Sequence, residues 1–484
     1  MITFDDLKNE IQKIQQHSLV QKCLDILNYT VENVNLKYPV WEILVLIKWA
    51  YLHTDNDENK NIATSESLEL ILDQIRQYGG SHSETQFINS QDISRFFRIL
   101  AYQQFPLQEE YHNALIDRQI VLYTQIVSKA DFQNVFEIKT GLTIEVFLRY
   151  CYLTHLILFA DTVMSNVPRV TKFNIEEFLG FSQKVHEELF SKKFNKVHAI
   201  KYIELLTIFN QEEFFTLQKL SNEKLQIFES NLFTTKPFLF INDDFIVIYR
   251  PIFIQTIKHF IYTFLKANYS EFTTEFGKKL ETYIEMGLKE MNIVFLKENE
   301  LKKKYSLTKV SDFYVEKNVL IECKAIDLHP RSGVIRVPDI LTKEFKDSII
   351  KAYCQLLSTA AVIDGETVWY GLVVTYSDLY LGFGLDAWEE FLQMPIESYA
   401  KLNGLSTSTL PPENLFFIDI TFWDYLVQIV KDKKATLAEI LDKAKEMTTG
   451  SKKLFNLEMV LRNNFKIDKI QIKYLDDAHK LIFN

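Results

Sequence analysis

The period of the apolar residues changes along this chain, and that change limits what it can fold into. From Phe4 to about Ser230 they recur every three or four positions, as in "WEILVLIKWAYLH", "SLELILDQIRQY", "DISRFFRILAYQQF" and "TIEVFLRYCYLTHLILF", which predicts helix after helix. Polar breaks at 54–61 and 78–85 separate them. No fixed repeat length runs through the region, so a regular solenoid is not expected. At Lys236 the period shortens: "KPFLFINDDFIVIYRP" reads as a β-hairpin turning at Asn242, Asp243 and Asp244. Helices are predicted next at 252–267 and about 271–291. A second hairpin at 310–325, a polar basic connection, a helix near 343–361 and a strand within 367–376 follow. The tail mixes the strand candidate "NLFFIDI" with helices such as "TLAEILDKAKEM".

The expected class is therefore α+β: a large all-α N-terminal region, then an α/β core of order α-β-β-α-β, then an α+β C-terminal extension. Four spans follow: 1–235, a helical regulatory, partner-binding or substrate-binding region; 236–268, a hairpin-helix connector; 269–376, the core; and 377–484, its extension. A chain of 484 residues exceeds one ordinary hydrophobic core. Only 13 Gly and 10 Pro punctuate it, which favours long helices. Four scattered cysteines show neither zinc nor disulfide spacing, which fits a reducing cytoplasm. The acidic start "MITFDDLKNEI" does not resemble a signal peptide. The longest uncharged apolar run is closed by Arg149 and Asp161, short of the roughly 20 residues a membrane span needs. A cytoplasmic protein with no membrane partner is expected.

Within this pattern "VSDFYVEKNVLIECKA" stands out, because it sets charges into an apolar hairpin. With the turn on Glu316, Lys317 and Asn318, Val315 lies opposite Val319 and Asp312 opposite Glu322, so the two carboxylates share a face. Strand alternation adds Lys324 to that face and turns Ile321, Cys323 and Ala325 the other way. Neighbouring carboxylates repel, and a desolvated lysine tends to lose its charge, so the cluster is costly unless something uses it. A divalent metal resolves the repulsion, and Mg²⁺ suits hard carboxylate ligands and phosphate oxygens. A lysine beside such a metal can orient or help deprotonate the attacking water and offset phosphate charge.

Asp312 followed by Glu322-Cys323-Lys324 resembles the PD-(D/E)XK, or restriction-endonuclease-like, nuclease superfamily, over roughly residues 271–376. The resemblance implies a restriction-endonuclease-like core and a metal-dependent endonuclease that hydrolyses phosphodiester bonds of DNA or of structured RNA such as tRNA. Asp312 and Glu322 would hold Mg²⁺, with Mn²⁺ able to substitute, and Lys324 would serve the attacking water. The family's preceding helix often supplies a further acidic ligand, for which "FGKKLETYIEMGL" offers Glu281. Its later helix often carries a glutamine, for which "SIIKAYCQLLSTAA" offers Gln355 beside Lys351. Ser311 stands where the family places a proline. A large helical region joined to such a nuclease is similar in architecture to bacterial anti-phage defence effectors.

The formal net charge of −10 requires any nucleic-acid surface to be local. Arg331, Arg336, Lys343, Lys346 and Lys351 provide one candidate for phosphate contacts, and "KENELKKKYSLTK" a second. No Walker motif and no zinc-hydrolase histidine pair is present. "GFG" at Gly382–Gly384 lacks the rest of a phosphate loop and reads as a turn, and Trp41 and Trp49 share a helix face that reads as core. The helical region is expected to serve a regulatory protein partner or a second copy of the chain. Two rivals stand beside the nuclease: a non-catalytic nucleic-acid-binding or scaffolding protein with a nuclease-like fold, and a helical interaction protein with a coincidental motif.

Overall fold

The computed structural model describes residues 2–28, 38–81, 98–108, 111–112, 114–159, 170–190, 192–217, 232–305, 310–315, 317–326, 338–365, 367–450 and 453–483. Most of the predicted helices form, among them Val40–His53, Ser65–Ser81 and Ile144–Phe159. The expected break at 78 comes later, because the helix runs on through the two glycines to Ser81. Trp49 is fully buried and Trp41 packs against the same core, so that aromatic pair is structural.

Among the described residues nine strands form two sheets: β1 Thr171–Phe173, β2 Thr207–Ile208, β3 Phe238–Ile241, β4 Asp244–Val247, β5 Phe295–Lys297, β6 Phe313–Val315, β7 Val319–Lys324, β8 Tyr370–Thr375 and β9 Leu415–Asp419. The first sheet has the order β1-β4-β3-β2. Its β3–β4 hairpin turns on Asn242 and Asp243, both at positive φ (52° and 65°), the backbone that Asn and Asp tolerate best in tight hairpins. β1 and β2 correct the expectation of an all-helical first 235 residues. An isolated two-stranded hairpin offers unpaired edges, and these short segments cover them. Strands of two and three residues leave no readable alternation, which is why the sequence concealed them.

The second sheet runs β5-β6-β7-β8-β9; β5, β6 and β7 pair antiparallel, and β7, β8 and β9 parallel. Its strands β7, β8 and β9 are almost wholly buried, which explains their near-continuous apolar sequences. Helix Phe272–Glu290 precedes the sheet, and a helical stretch ending in Lys351–Asp364 connects β7 to β8. The expected α-β-β-α-β order is thus present with two additions, β5 and the short helix Glu298–Tyr305. The mixed α+β class holds.

The buried side chains do not divide at residue 235. One continuous core joins helices from Ala114 onward to the five-stranded sheet and to Ile482, while a separate core gathers residues from Phe4 to Tyr78 with the other sheet. Buried ion pairs tie distant parts of the chain together: Arg118 to Asp424 at 2.8 Å and Arg98 to Glu390 at 2.8 Å. Among the described residues no single helix is long and apolar enough to cross a membrane.

Two glycines of Phe272–Glu290 differ in their surroundings. A Cβ on Gly287 would stand 2.5 Å from Trp423 Nε1 and 2.9 Å from Val427, whereas one on Gly277 would meet nothing within 4 Å. Gly287→Ala is expected to cost about 1–3 kcal/mol by overpacking, and Gly277→Ala to gain up to about 1 kcal/mol of helix stability. Thermal melting of the two variants checks this, and equal midpoints would refute it.

Candidate active site

The β6–β7 register places Val315 opposite Val319 and Phe313 opposite Ile321, as the alternation predicted. Lys317 takes the positive φ (68°) of the turn; Glu316 lies outside the described residues. Asp312 immediately precedes β6, and the same register carries it to Glu322. Its N–H donates to Glu322 Oε2 at 3.3 Å, and its Oδ2 accepts the Cys323 N–H at 2.7 Å. Ile321 and Cys323 enter the large core with Ala325 packed against it, while Leu320 faces the core beneath helix Lys351–Asp364. The carboxylate face is therefore the face this helix covers.

Neighbouring elements fix Asp312 further. Glu298 N–H, at the start of the short helix after β5, donates to Asp312 O at 2.9 Å. Ser311 N–H donates to Thr359 Oγ1 at 2.9 Å. A proline there would have no N–H to give, so Ser311 adds an anchor to Lys351–Asp364.

Glu322 is 1% exposed and accepts Lys324 Nζ on Oε1 at 2.6 Å. Lys324 Nζ also reaches Gln355 Oε1 at 3.4 Å, and Gln355 Nε2 donates to Val310 O at 3.2 Å. Gln355 is thus brought to the site. Lys351 lies one turn earlier on the same helix and is exposed, as are Lys343 and Lys346. Arg331 and Arg336 lie outside the described residues. Glu281, on Phe272–Glu290, feels the charges of Asp312, Glu298 and Lys324. Gly277, one turn before it, leaves open space.

Burial dominates the electrostatics. It pushes Glu322 up to about 8, with Asp312 adding repulsion and Lys324 opposing. It pushes Glu281 up to about 7, with Asp312 and Glu298 adding to the rise. Asp312 also rises through burial, against the Cys323 N–H and the Lys324 charge. For Lys324 burial opposes the charge, but Glu322 and Asp312 outweigh it and hold the pKa above the ordinary lysine value. Lys324 is thus an ammonium at neutral pH, among carboxyls that compete for too little positive charge.

No protein-family model matches the chain, and neither a curated protein nor a solved structure is significantly similar to it. The site is therefore judged on its own donors. Among the described residues no group of three or more His, Cys, Asp or Glu side chains is gathered as a metal-holding set. Asp312 and Glu322 are the acidic residues among the described positions of the hairpin, and Mg²⁺ typically takes one or two protein carboxylates and keeps its waters. Hard oxygen donors that burial has left short of positive charge fit such an ion. Glu281 shares their field without being gathered into a three-ligand set.

Sequence reasoning missed Glu298 and Thr359. Nothing in "KENELKKKY" distinguishes Glu298 from other surface acids; β5 alone brings it beside Asp312. Gly382 does take a positive φ (73°), so "GFG" contains the predicted turn.

The raised carboxyls have a consequence for stability. The folded chain keeps protons on Glu322 and Glu281 that the unfolded chain releases above its ordinary value of 4.5. Their contribution is full below that value and is lost as pH rises through about 7 and about 8. Without divalent cation, the melting midpoint is expected to fall between about pH 5.5 and about pH 8.5, and Glu322→Gln to flatten that fall. Parallel melting curves across the range test it, and an unchanged slope in the variant would refute the assignment to Glu322.

Proposed function

We propose that this protein is a metal-dependent nuclease of the PD-(D/E)XK type, acting on DNA or on structured RNA such as tRNA, and that it serves as a bacterial anti-phage defence effector. The observation that carries the reading is the joining of Asp312, Glu322 and Lys324 on one face of a buried hairpin, with Gln355 and Lys351 presented by the covering helix. Buried clusters of carboxylates and lysine with displaced pKa values favour functional sites over salt-bridged surfaces.

In this reading Asp312 and Glu322 hold Mg²⁺ or Mn²⁺. The ion, when bound, supplies Lewis-acid polarisation of a phosphoryl oxygen and a more acidic water. The chain's own groups do the rest. Asp312 is oriented by three backbone contacts, two through its own main chain and one through Oδ2, so the carboxylate needs little rearrangement. Lys324, kept charged and steered by Glu322 and Gln355, stabilises charge that develops on the phosphate. Its charge state suits it to donate a hydrogen bond rather than to take a proton. Glu281 shares the field of Asp312, Glu298 and Lys324 and biases the charge of the site from the preceding helix. Lys351, Lys343 and Lys346 supply local positive charge for flanking phosphates despite the acidic whole.

The test is cleavage of plasmid, linear duplex, single-stranded DNA and total tRNA with Mg²⁺ or Mn²⁺, by the wild type and by Lys324→Ala. Metal-dependent cutting that the variant loses names the substrate and supports the site. Full cutting by Lys324→Ala would overturn the role given to that lysine. Binding of any of these nucleic acids with no cutting in either metal would favour the non-catalytic alternative.

A further inference from the structure

The peptide unit between Val310 and Ser311, at the entry to the hairpin, is held at both edges by one helix. Val310 O accepts Gln355 Nε2 at 3.2 Å, and Ser311 N–H donates to Thr359 Oγ1 at 2.9 Å. Gln355 and Thr359 stand four residues apart on helix Lys351–Asp364 and share one of its faces. The C=O and N–H of a trans peptide point to opposite edges of a rigid plane, so binding both fixes the rotation of that plane as well as its place.

The bond to Thr359 has a single polarity. Its hydroxyl carries one proton, and that proton goes to Gln355 O, one turn back, at 2.7 Å. The oxygen is left to accept from Ser311. Thr359 and Ser311 are both 0% exposed, so solvent does not replace the hydroxyl if it is removed. The Ser311 N–H would then be buried without a partner.

The residues the proposed chemistry needs lie on either side of this peptide. Asp312 follows Ser311 directly, with its own N–H on Glu322 Oε2. Gln355 holds Val310 O through one end of its amide and meets Lys324 Nζ at 3.4 Å through the other. One helix face thus sets the acid and the lysine relative to each other.

We infer that Thr359 is a positioning residue: together with Gln355 it clamps the Val310–Ser311 peptide to helix Lys351–Asp364 and so holds the Asp312 carboxylate where a divalent ion is bound, a role that rests on the nuclease reading. It acts through Asp312, and its removal bears on metal affinity before it bears on the binding of nucleic acid. Groups that orient metal ligands from outside typically change affinity or activity by about 10–100-fold when lost.

Thr359→Val exchanges the hydroxyl for a methyl of similar shape, and Thr359→Ser keeps the hydroxyl without the methyl. Hydrogen exchange of the full chain in chelator reads the clamp itself. Residues 310–315 are expected to exchange about tenfold faster in Thr359→Val, with β8 unchanged, and near the wild-type rate in Thr359→Ser. Calorimetry with Mn²⁺ and no nucleic acid reads the ion: Thr359→Val is expected to bind it about tenfold or more weakly, and Thr359→Ser to recover most of that loss. The Mg²⁺ concentration for half-maximal cleavage should rise by the same factor in Thr359→Val, with KM for the nucleic acid unchanged. A Thr359→Val protein that melts earlier yet keeps wild-type Mn²⁺ affinity would make Thr359 merely structural and overturn the inference. So would an equal loss in Thr359→Ser, or unchanged exchange at 310–315. A wild type that binds Mn²⁺ but cuts nothing would remove the nuclease reading and leave the positioning role standing on the affinities; one that binds no Mn²⁺ would overturn both.

Discussion

Glu322→Ala is expected to lower metal-dependent cleavage by about a thousandfold or more, while leaving the protein folded. The first half follows from position: Glu322 is the buried member of the pair that would hold the ion, and its carboxylate also steers Lys324 at 2.6 Å. Removing it takes away a ligand and the lysine's anchor together. The second half follows from burial. A carboxyl pushed up to about 8 contributes little of its own to folding at neutral pH, so the cost of its loss is the cavity and the stranded Lys324 charge, enough to lower the melting midpoint without unfolding the chain. Cleavage rates at saturating Mg²⁺ beside a melting curve separate the two. A variant that cuts at more than a tenth of the wild-type rate would remove Glu322 from the mechanism. A variant that unfolds would make it a structural residue.

The largest stability effect is expected far from that hairpin. Arg118 and Asp424 are 1% and 0% exposed and face each other at 2.8 Å, with Tyr283 donating to the same aspartate at 2.7 Å. Breaking a buried pair strands the remaining charge, so Arg118→Ala or Asp424→Ala alone should cost about 3–5 kcal/mol. Replacing both by apolar residues of similar volume leaves no stranded charge, and Arg118→Met with Asp424→Leu should cost less than either single change. Urea or thermal denaturation of the three variants measures this. A double variant that loses the sum of the singles would show that the pair does not act as a unit.

The hairpin could be read from sequence because two constraints agreed there. Alternation assigned Ile321 and Cys323 to one face and Glu322 and Lys324 to the other, and the turn position fixed which residues oppose. Glu281 could be chosen only by resemblance, and the structure brings it into the field of Asp312 without gathering it as a ligand. What stayed hidden depended on contacts between distant segments. Thr359 anchors Ser311, and Glu298 meets Asp312, through tertiary packing that no local pattern encodes. The apparent boundary at 235 arose the same way: a change in hydrophobic period marks where secondary structure changes, not where a core ends. Arg118 looks like an ordinary helix charge until its partner, more than three hundred residues later, is in place.

That separation has a consequence for synthesis. Arg118 and Asp424 lie 306 positions apart, so a ribosome adding about 5–20 residues per second takes on the order of 15–60 seconds to deliver the second after the first. Throughout that interval the helices from Ala114 onward carry an unmatched guanidinium and an apolar face whose covering strands and helices have not been made. The nascent chain thus exposes that apolar face for much of its production, and a fragment cut at the apparent boundary would keep it exposed.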